Sequence, residues 1–192
     1  TLLKYYAMLS LNGRHAALGL SQPVLPVFFP LRDIEFADGS PRPLYDCLHS
    51  WARRHYKNIP PDTFLKWLED RDTLVLFDGL DEVSDLDKRR RICRWIDDAA
   101  KALTRAHFVV TSRWTGYRKI DQIQLGCGHL TAEVRDFSFK QQCRFLRKWF
   151  VAAYLKDTRS EETPVVEWEK AQREQGRNRA QQIIDFLSLE QN

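Results

Sequence analysis

Along the chain, short apolar runs alternate with longer stretches in which apolar side chains recur every three or four positions. Residues 23–29 and 73–77 are of the first kind, and the second run is wholly apolar after its leading threonine. Such a run predicts a strand buried on both faces, as in a parallel sheet. Residues 107–111 predict a third strand and 130–134 a shorter fourth. Between them the 3.6-residue period predicts helices over 45–56, over 62–70 after the Pro60-Pro61 break, and over 85–103. In the last of these, Ile92, Trp95, Ile96, Ala99 and Leu103 fall on one stripe, with the basic run 88–91 at its polar beginning. Residues 1–9 also read as helix with nothing ahead of them to cap it, which predicts that the chain opens inside a domain. Strand and helix alternating in this way imply right-handed crossovers and an α/β fold, a parallel sheet covered by helices.

After residue 137 the strand pattern stops. Ser138 is placed to cap a helix whose apolar stripe is Phe145, Leu146, Trp149 and Phe150. A polar loop over 157–164 follows, and 167–189 reads as one or two helices with Gly176 between them. Two domains are expected: an α/β domain over 1–137 and the beginning of an all-α domain over 138–192.

Composition narrows the class without changing this picture. The 192 residues carry 30 Lys plus Arg against 26 Asp plus Glu, a net +4, and 43% are hydrophobic, enough for a core of ordinary size. No run approaches the ~20 apolar residues of a bilayer span, and no basic-then-apolar leader opens the chain. A cytoplasmic location is expected. The four cysteines lack CxxC spacing and are read as reduced thiols. Cys47 with His49, and Cys127 with His129, fall short of a four-ligand zinc site and are read as ordinary side chains.

The chemistry concentrates at two strand ends. Run 74–77 delivers Asp78 at its C-terminal tip, then Gly79, then Asp81 and Glu82 three and four positions on. In an open α/β sheet, ligands bind at the carboxyl ends of the strands. A carboxylate leaving a buried strand there can hold Mg²⁺, which prefers oxygen ligands and keeps much of its water. A second carboxylate a turn away can orient or deprotonate a water for in-line attack on a γ-phosphate. The alternative is a plain Asp-Gly turn, with Asp81 and Glu82 capping the following helix. Run 107–110 ends in Thr111, Ser112 and Arg113, and a guanidinium at a neighbouring strand tip can reach the same phosphate.

These residues resemble a NACHT domain, the nucleotide-binding module of the STAND class of P-loop NTPases. The resemblance rests on Phe77-Asp78-Gly79-Leu80-Asp81-Glu82-Val83, on Val110-Thr111-Ser112-Arg113, and on Gly116-Tyr117-Arg118. Residues 26–33 resemble the family's second strand, and Phe137-Ser138 through Trp149-Phe150 the start of its first helical domain. The resemblance implies a three-layer P-loop fold from which the first strand and the Walker A loop are missing. It makes Asp78 the Mg²⁺-associated residue of Walker B, Asp81 and Glu82 the groups that position the hydrolytic water, and Arg113 the sensor 1 arginine. Thr1 becomes the hydroxyl at, or just after, the end of Walker A. It implies further that a full-length parent binds ATP or GTP with Mg²⁺ and hydrolyses it slowly. The nucleotide would act as a conformational and oligomerisation switch in a multidomain signalling or antiviral defence protein, with effector and sensor domains elsewhere. The 192 residues alone are expected to bind nucleotide weakly or not at all.

Two rivals stand beside this reading. One is a NACHT-like assembly scaffold that does not hydrolyse. The other is a basic nucleic-acid-binding module built on 88–91, Arg53-Arg54 and the six tryptophans. Asp85 and Asp87 flank the main basic run, which favours a solvated helix face and disfavours nucleic acid as a partner. Tyr5 and Tyr6 are read as helix packing, and Trp114 as packing against the loop after it. His15, His55 and His107 have no nucleophile at triad spacing.

Overall fold

The computed structural model describes residues 2–56, 58–117, 123–157 and 164–189. The chain divides into two compact units, Thr1–Leu130 and Thr131–Asn192.

The first unit is built on a three-stranded parallel sheet in the order β1 (Leu25–Pro30), β4 (Thr73–Asp78), β5 (Ala106–Val110). The central position of β4 follows from its composition, since every side chain from Thr73 to Phe77 is buried and only a strand flanked on both edges and covered on both faces can bury such a run. Leu74 and Leu76 point to one face, where they meet Leu3, Tyr6 and Ala7 of α1 (Leu2–Leu11). Val75 and Phe77 point to the other. There they pack with α2 (Leu44–His55), α3 (Thr63–Asp70) and α4 (Leu86–Ala102) through Leu48, Leu68, Ile92 and Ile96. Helices on both faces of a parallel sheet make the α/β architecture that the alternating pattern implies and fit the P-loop fold that the resemblance implies.

The expected element limits hold to within about two residues, the usual disagreement at element ends. Asp85 caps α4, accepting the Lys88 N–H at 2.8 Å, and that hydrogen bond holds its carboxyl below the usual range. Asp81 and Glu82 therefore do not cap this helix. A small hairpin absent from the sequence reading joins β2 (Phe36–Ala37) to β3 (Ser40–Pro41) through Asp38 and Gly39, at φ 50° and 78°. Two successive positive φ values are what a tight two-residue hairpin turn requires.

The fourth strand expected over 130–134 does not form; these residues carry no strand pairing. Leu130 is fully exposed and Val134 78% exposed, so neither has the neighbour a strand needs. What precedes them is held differently. The nearly buried carboxylate of Asp97 on α4 accepts the backbone N–H groups of Gly126 at 2.7 Å and Cys127 at 3.0 Å. Burial alone would raise its pKa, but hydrogen bonds from Cys127 and Gly126 outweigh it and lower the carboxyl from its usual value. A depressed folded pKa adds stability that is complete above the unfolded value of ~4 and disappears as pH falls through the folded value. Thermal melts of the Asp97→Asn variant should accordingly show a loss of about 1–2 kcal/mol at pH 7, with the difference shrinking below about pH 4. A constant difference from pH 7 to pH 2 would contradict the charged clamp.

The second unit contains α5 (Phe139–Tyr154) and α6 (Val165–Leu189). Gln141 Oε1 accepts the Ser138 N–H at 2.8 Å, which closes the start of α5 as expected. The expected stripe is only partly correct, because Phe145 and Trp149 are about half exposed while Cys143 is buried. Gly176 does not separate two helices. It lies inside one continuous α6, where a Cβ would sit 2.8 Å from Val151 Cα and 2.9 Å from the Phe150 carbonyl oxygen. The glycine is there because the two helix backbones approach too closely for any side chain.

Candidate functional site

The site grows from the register of β4 against β5. Phe77 pairs with Val110, and beyond that pair the Thr111 N–H donates to the Phe77 carbonyl at 3.0 Å. Asp78 and Thr111 therefore leave the sheet side by side. The Thr111 hydroxyl donates to Asp78 Oδ1 at 2.7 Å and accepts the Gly79 N–H at 3.1 Å, while the Thr111 carbonyl accepts the Leu80 N–H at 2.9 Å. One threonine thus fixes both the Asp78 carboxylate and the turn after it. Gly79 makes that turn at φ 75°, and a Cβ there would stand 2.8 Å from the Glu82 carboxyl carbon. The left-handed φ is what calls for glycine at position 79; the Glu82 side chain is half exposed and could move aside.

The turn Leu80–Glu82 carries the acidic pair. Asp81 braces the tip of β5: its Oδ1 accepts the Arg113 N–H at 2.9 Å, and its Oδ2 lies 3.5 Å from Arg113 Nε. Gly116 closes over this brace, since a Cβ there would come within 2.2 Å of Asp81 Cβ. Glu82 Oε2 takes a 3.0 Å ion pair from Arg32, which follows the tip of β1, where Pro30 pairs with Asp78. Asp78, Asp81, Glu82 and Arg113 thus share the carboxyl rim of the sheet. The Arg113 side chain is 86% exposed and that of Arg32 62%, against 16% for Asp81. Exposed ion pairs of this kind contribute about 0–1 kcal/mol each, so both guanidiniums can turn to another anion at little cost.

Asp78 fits the needs of a magnesium-bound triphosphate. It is half-buried at a strand tip, one oxygen is oriented by a hydroxyl, and no ion pair to it occurs among the described residues. Mg²⁺ is commonly held by one or two carboxylates together with phosphate oxygens and water, which suits a single acid of this kind. Among the described residues no group of three or more His, Cys, Asp or Glu side chains is arranged to enclose a metal.

The family model for the NACHT domain matches residues 14–153. The chain belongs to the NACHT domain family. NACHT domains are P-loop NTPases, so membership accounts for a parallel sheet with acid and guanidinium groups along its carboxyl rim. No curated protein and no solved structure matches the chain.

Thr1 and Arg118 lie outside the described residues. Three contacts of this rim are not evident in the sequence: the Arg32 pair with Glu82, the Thr111 hydroxyl on Asp78, and the packing of Gly116 on Asp81. Only the strand-end position of the first two was a usable signal; for Gly116 nothing local in the sequence could have revealed a clash with Asp81.

The packing expected of Trp114 has no counterpart among the described residues. The residue is 83% exposed, because the turn Trp114–Gly116 points its ring outward while the backbone is pinned by the Gly116 N–H on the Arg113 carbonyl. The basic run is largely committed to structure. Arg89 donates to the carbonyls of Val83 at 2.6 Å and Asp81 at 3.2 Å, Arg90 pairs with Asp87 at 2.6 Å, and Arg91 donates to the Gly39 carbonyl. Lys88 lies over the Phe36 ring, and Arg54 is 3.7 Å from Glu35. Cations used in this way hold turns and the hairpin in place, which removes the main ground for a nucleic-acid module on this helix. Burial pushes the Cys93 thiol up to about 12 and raises that of Cys47, and the Asp97 carboxylate raises that of Cys127, so none of these three is a ready nucleophile.

Proposed function

We propose that this region is the Walker B and sensor 1 part of a nucleotide switch: a NACHT domain that binds ATP or GTP with Mg²⁺ and hydrolyses it slowly. The observation that carries the reading is the placement of Asp78 and Arg113 on adjacent strand tips, joined through Thr111 and Asp81. In this reading Asp78 holds the Mg²⁺, which supplies neutralisation of phosphate charge when bound. Asp81 and Glu82 position and deprotonate the attacking water. Arg113 binds the γ-phosphate and reports its presence, and Thr1 supplies a further hydroxyl to the metal.

No Gly-x-x-x-x-Gly-Lys-Ser/Thr loop occurs within the 192 residues. Such a loop provides the amides and lysine that cradle the phosphates. We therefore assign turnover to a parent protein that carries this region behind such a loop, and weak or no binding to the 192 residues alone. Residues 1–137 would form the nucleotide domain and 138–192 the first helices of the domain beside it. Coupling to signalling or defence, with self-association on activation, belongs to the same proposal, as does a cytoplasmic setting.

The test is calorimetric titration of the parent with nucleotide, with and without Mg²⁺. Asp78→Ala should weaken Mg-ATP binding by about 10- to 100-fold, the loss expected for one charged contact, and leave metal-free binding within about twofold. Equal affinity of variant and wild type for Mg-ATP would remove Asp78 from the metal site.

A further inference from the structure

The second unit has a groove between its two helices that the nucleotide reading does not use. Arg147 Nη2 lies 3.5 Å from Gln181 Oε1, and Gly176 faces Val151. As the α5 number rises the α6 number falls, so the helices run antiparallel. The close approach at Gly176 leaves a shallow trough beside the crossing, with a cavity volume of about 730 Å³. Its floor is aliphatic: Val151, Ala152 and Leu155. Its walls are cationic, with Arg147 and Lys148 on α5 and Arg173 and Arg177 on α6. Among the described residues no carboxylate lines it.

Very little offsets this charge. Arg173 has a 3.5 Å ion pair with Glu169, both about half exposed, and Arg147 reaches only a neutral amide. Lys148 and Arg177 make no ion pair among the described residues. From Arg147 to Leu155, the residue that caps the end of α5, the groove spans eight residue steps, roughly 12 Å or two helical turns at 1.5 Å per residue. Four cations spread along an apolar trough of that length hold a sustained positive potential, unlike a single arginine at a helix end.

We propose that this groove binds an acidic amphipathic helix of a partner protein. A helix of two to three turns with apolar residues at i, i+3/i+4 and i+7 would set them over Val151 and Leu155. Its flanking Glu or Asp residues would meet Arg147 and Lys148 on one side and Arg173 and Arg177 on the other, a helix-in-groove mode with charge complementarity. The aliphatic floor favours this occupant over single-stranded nucleic acid. Strand binding that tolerates any sequence draws on aromatic side chains for base stacking, and among the described residues no aromatic side chain lines the groove. The inference is independent of the nucleotide site, whose residues all lie in the other unit.

The test uses the whole chain and three fluorescein-labelled probes followed by anisotropy. They are a Glu/Leu peptide with leucines at helical spacing, a peptide of the same composition with that spacing scrambled, and an oligothymidylate of similar charge. The amphipathic peptide should bind at least 10-fold more tightly than either of the others. Its affinity should fall as salt rises, and by 10-fold or more in the R147E/R177E variant. Val151→Ser, which leaves the charge intact, should weaken only the amphipathic peptide, by about 3- to 10-fold; circular dichroism of both variants guards against loss of the helices. Oligothymidylate binding as well as the peptide would instead mark a nucleic-acid groove and overturn the proposal. Equal binding of the scrambled peptide, unchanged binding in R147E/R177E, or no binding to wild type would overturn it too.

Discussion

Replacing Asp81 and Glu82 together in the full-length protein is expected to lower Mg-ATP turnover by about 10²- to 10⁴-fold, the range over which positioned acid–base groups act. Nucleotide affinity should stay within a few-fold. The magnitude depends on how the substitution is made, because Asp81 has two jobs in the geometry. Its Oδ1 accepts the Arg113 N–H at 2.9 Å, and Gly116 packs against its Cβ, so alanine at 81 would also release the tip of β5. The Asp81→Asn, Glu82→Gln pair keeps an acceptor oxygen for the Arg113 amide and removes only the charges. Single-turnover kinetics on both pairs therefore separate chemistry from bracing. If turnover depends on the carboxylates, the amide pair should be nearly as slow as the alanine pair. If the amide pair retains wild-type turnover and only the alanine pair is impaired, the acids serve as a structural brace and other groups position the attacking water.

Much of this site was legible because one feature is forced by physics. Residues 73–77 are too apolar to have any exposed face, so they had to be central and parallel, with a carboxyl end at the edge where open α/β sheets bind ligands. From that single inference Asp78 and the acidic turn follow. The neighbouring run ending at Arg113 followed from its apolar composition alone: in the structure it is an edge strand with none of Ala106–Val110 fully buried, so the burial that its sequence suggests does not hold. Pairwise partners did not follow. That Glu82 meets Arg32, fifty positions away, depends on Pro30 standing beside Asp78 in the register of β1 on β4, and no local pattern encodes register between parallel strands.

The failures have the same origin. Residues 130–134 have strand-like composition, but a strand exists only when a neighbour satisfies its backbone, and none is there. Residues 88–91 look like a polyanion-binding run, yet Arg89 and Arg91 donate to backbone carbonyls of Val83, Asp81 and Gly39 that only the tertiary fold brings to them. Gly176 reads locally as a helix break. In the structure it is the contact point of two helices, a property of α5 as much as of α6. Charge and hydrophobicity of a segment state what it can do, and its partners decide which of these it does.

The residue that sets the site's foundation is Phe77, and Phe77→Ala should destabilise the protein by about 3–5 kcal/mol. Its ring is fully buried and stands 5.5 Å from Trp95, 6.1 Å from Phe108 and 6.4 Å from Phe29, so it joins α4 to all three strands of the sheet. Truncation loses the burial of the ring and leaves a space that two neighbouring strands cannot close without breaking their pairing. Phe77 differs from its neighbour Asp78 in how its loss would be felt. Its carbonyl still accepts the Thr111 N–H in the variant, so the strand tip keeps its hydrogen bonds and the chemistry should survive while the protein remains folded. With domain stabilities of about 5–15 kcal/mol, the variant should unfold at a much lower denaturant midpoint with an unchanged m value. Phe108→Ala gives the scale, because that ring is only partly buried on the outer strand and should lose less. A loss at Phe77 below about 1 kcal/mol, or one smaller than at Phe108, would mean that β4 is not the strand on which the core is built, and the placement of Asp78 at the centre of the rim would lose its physical basis.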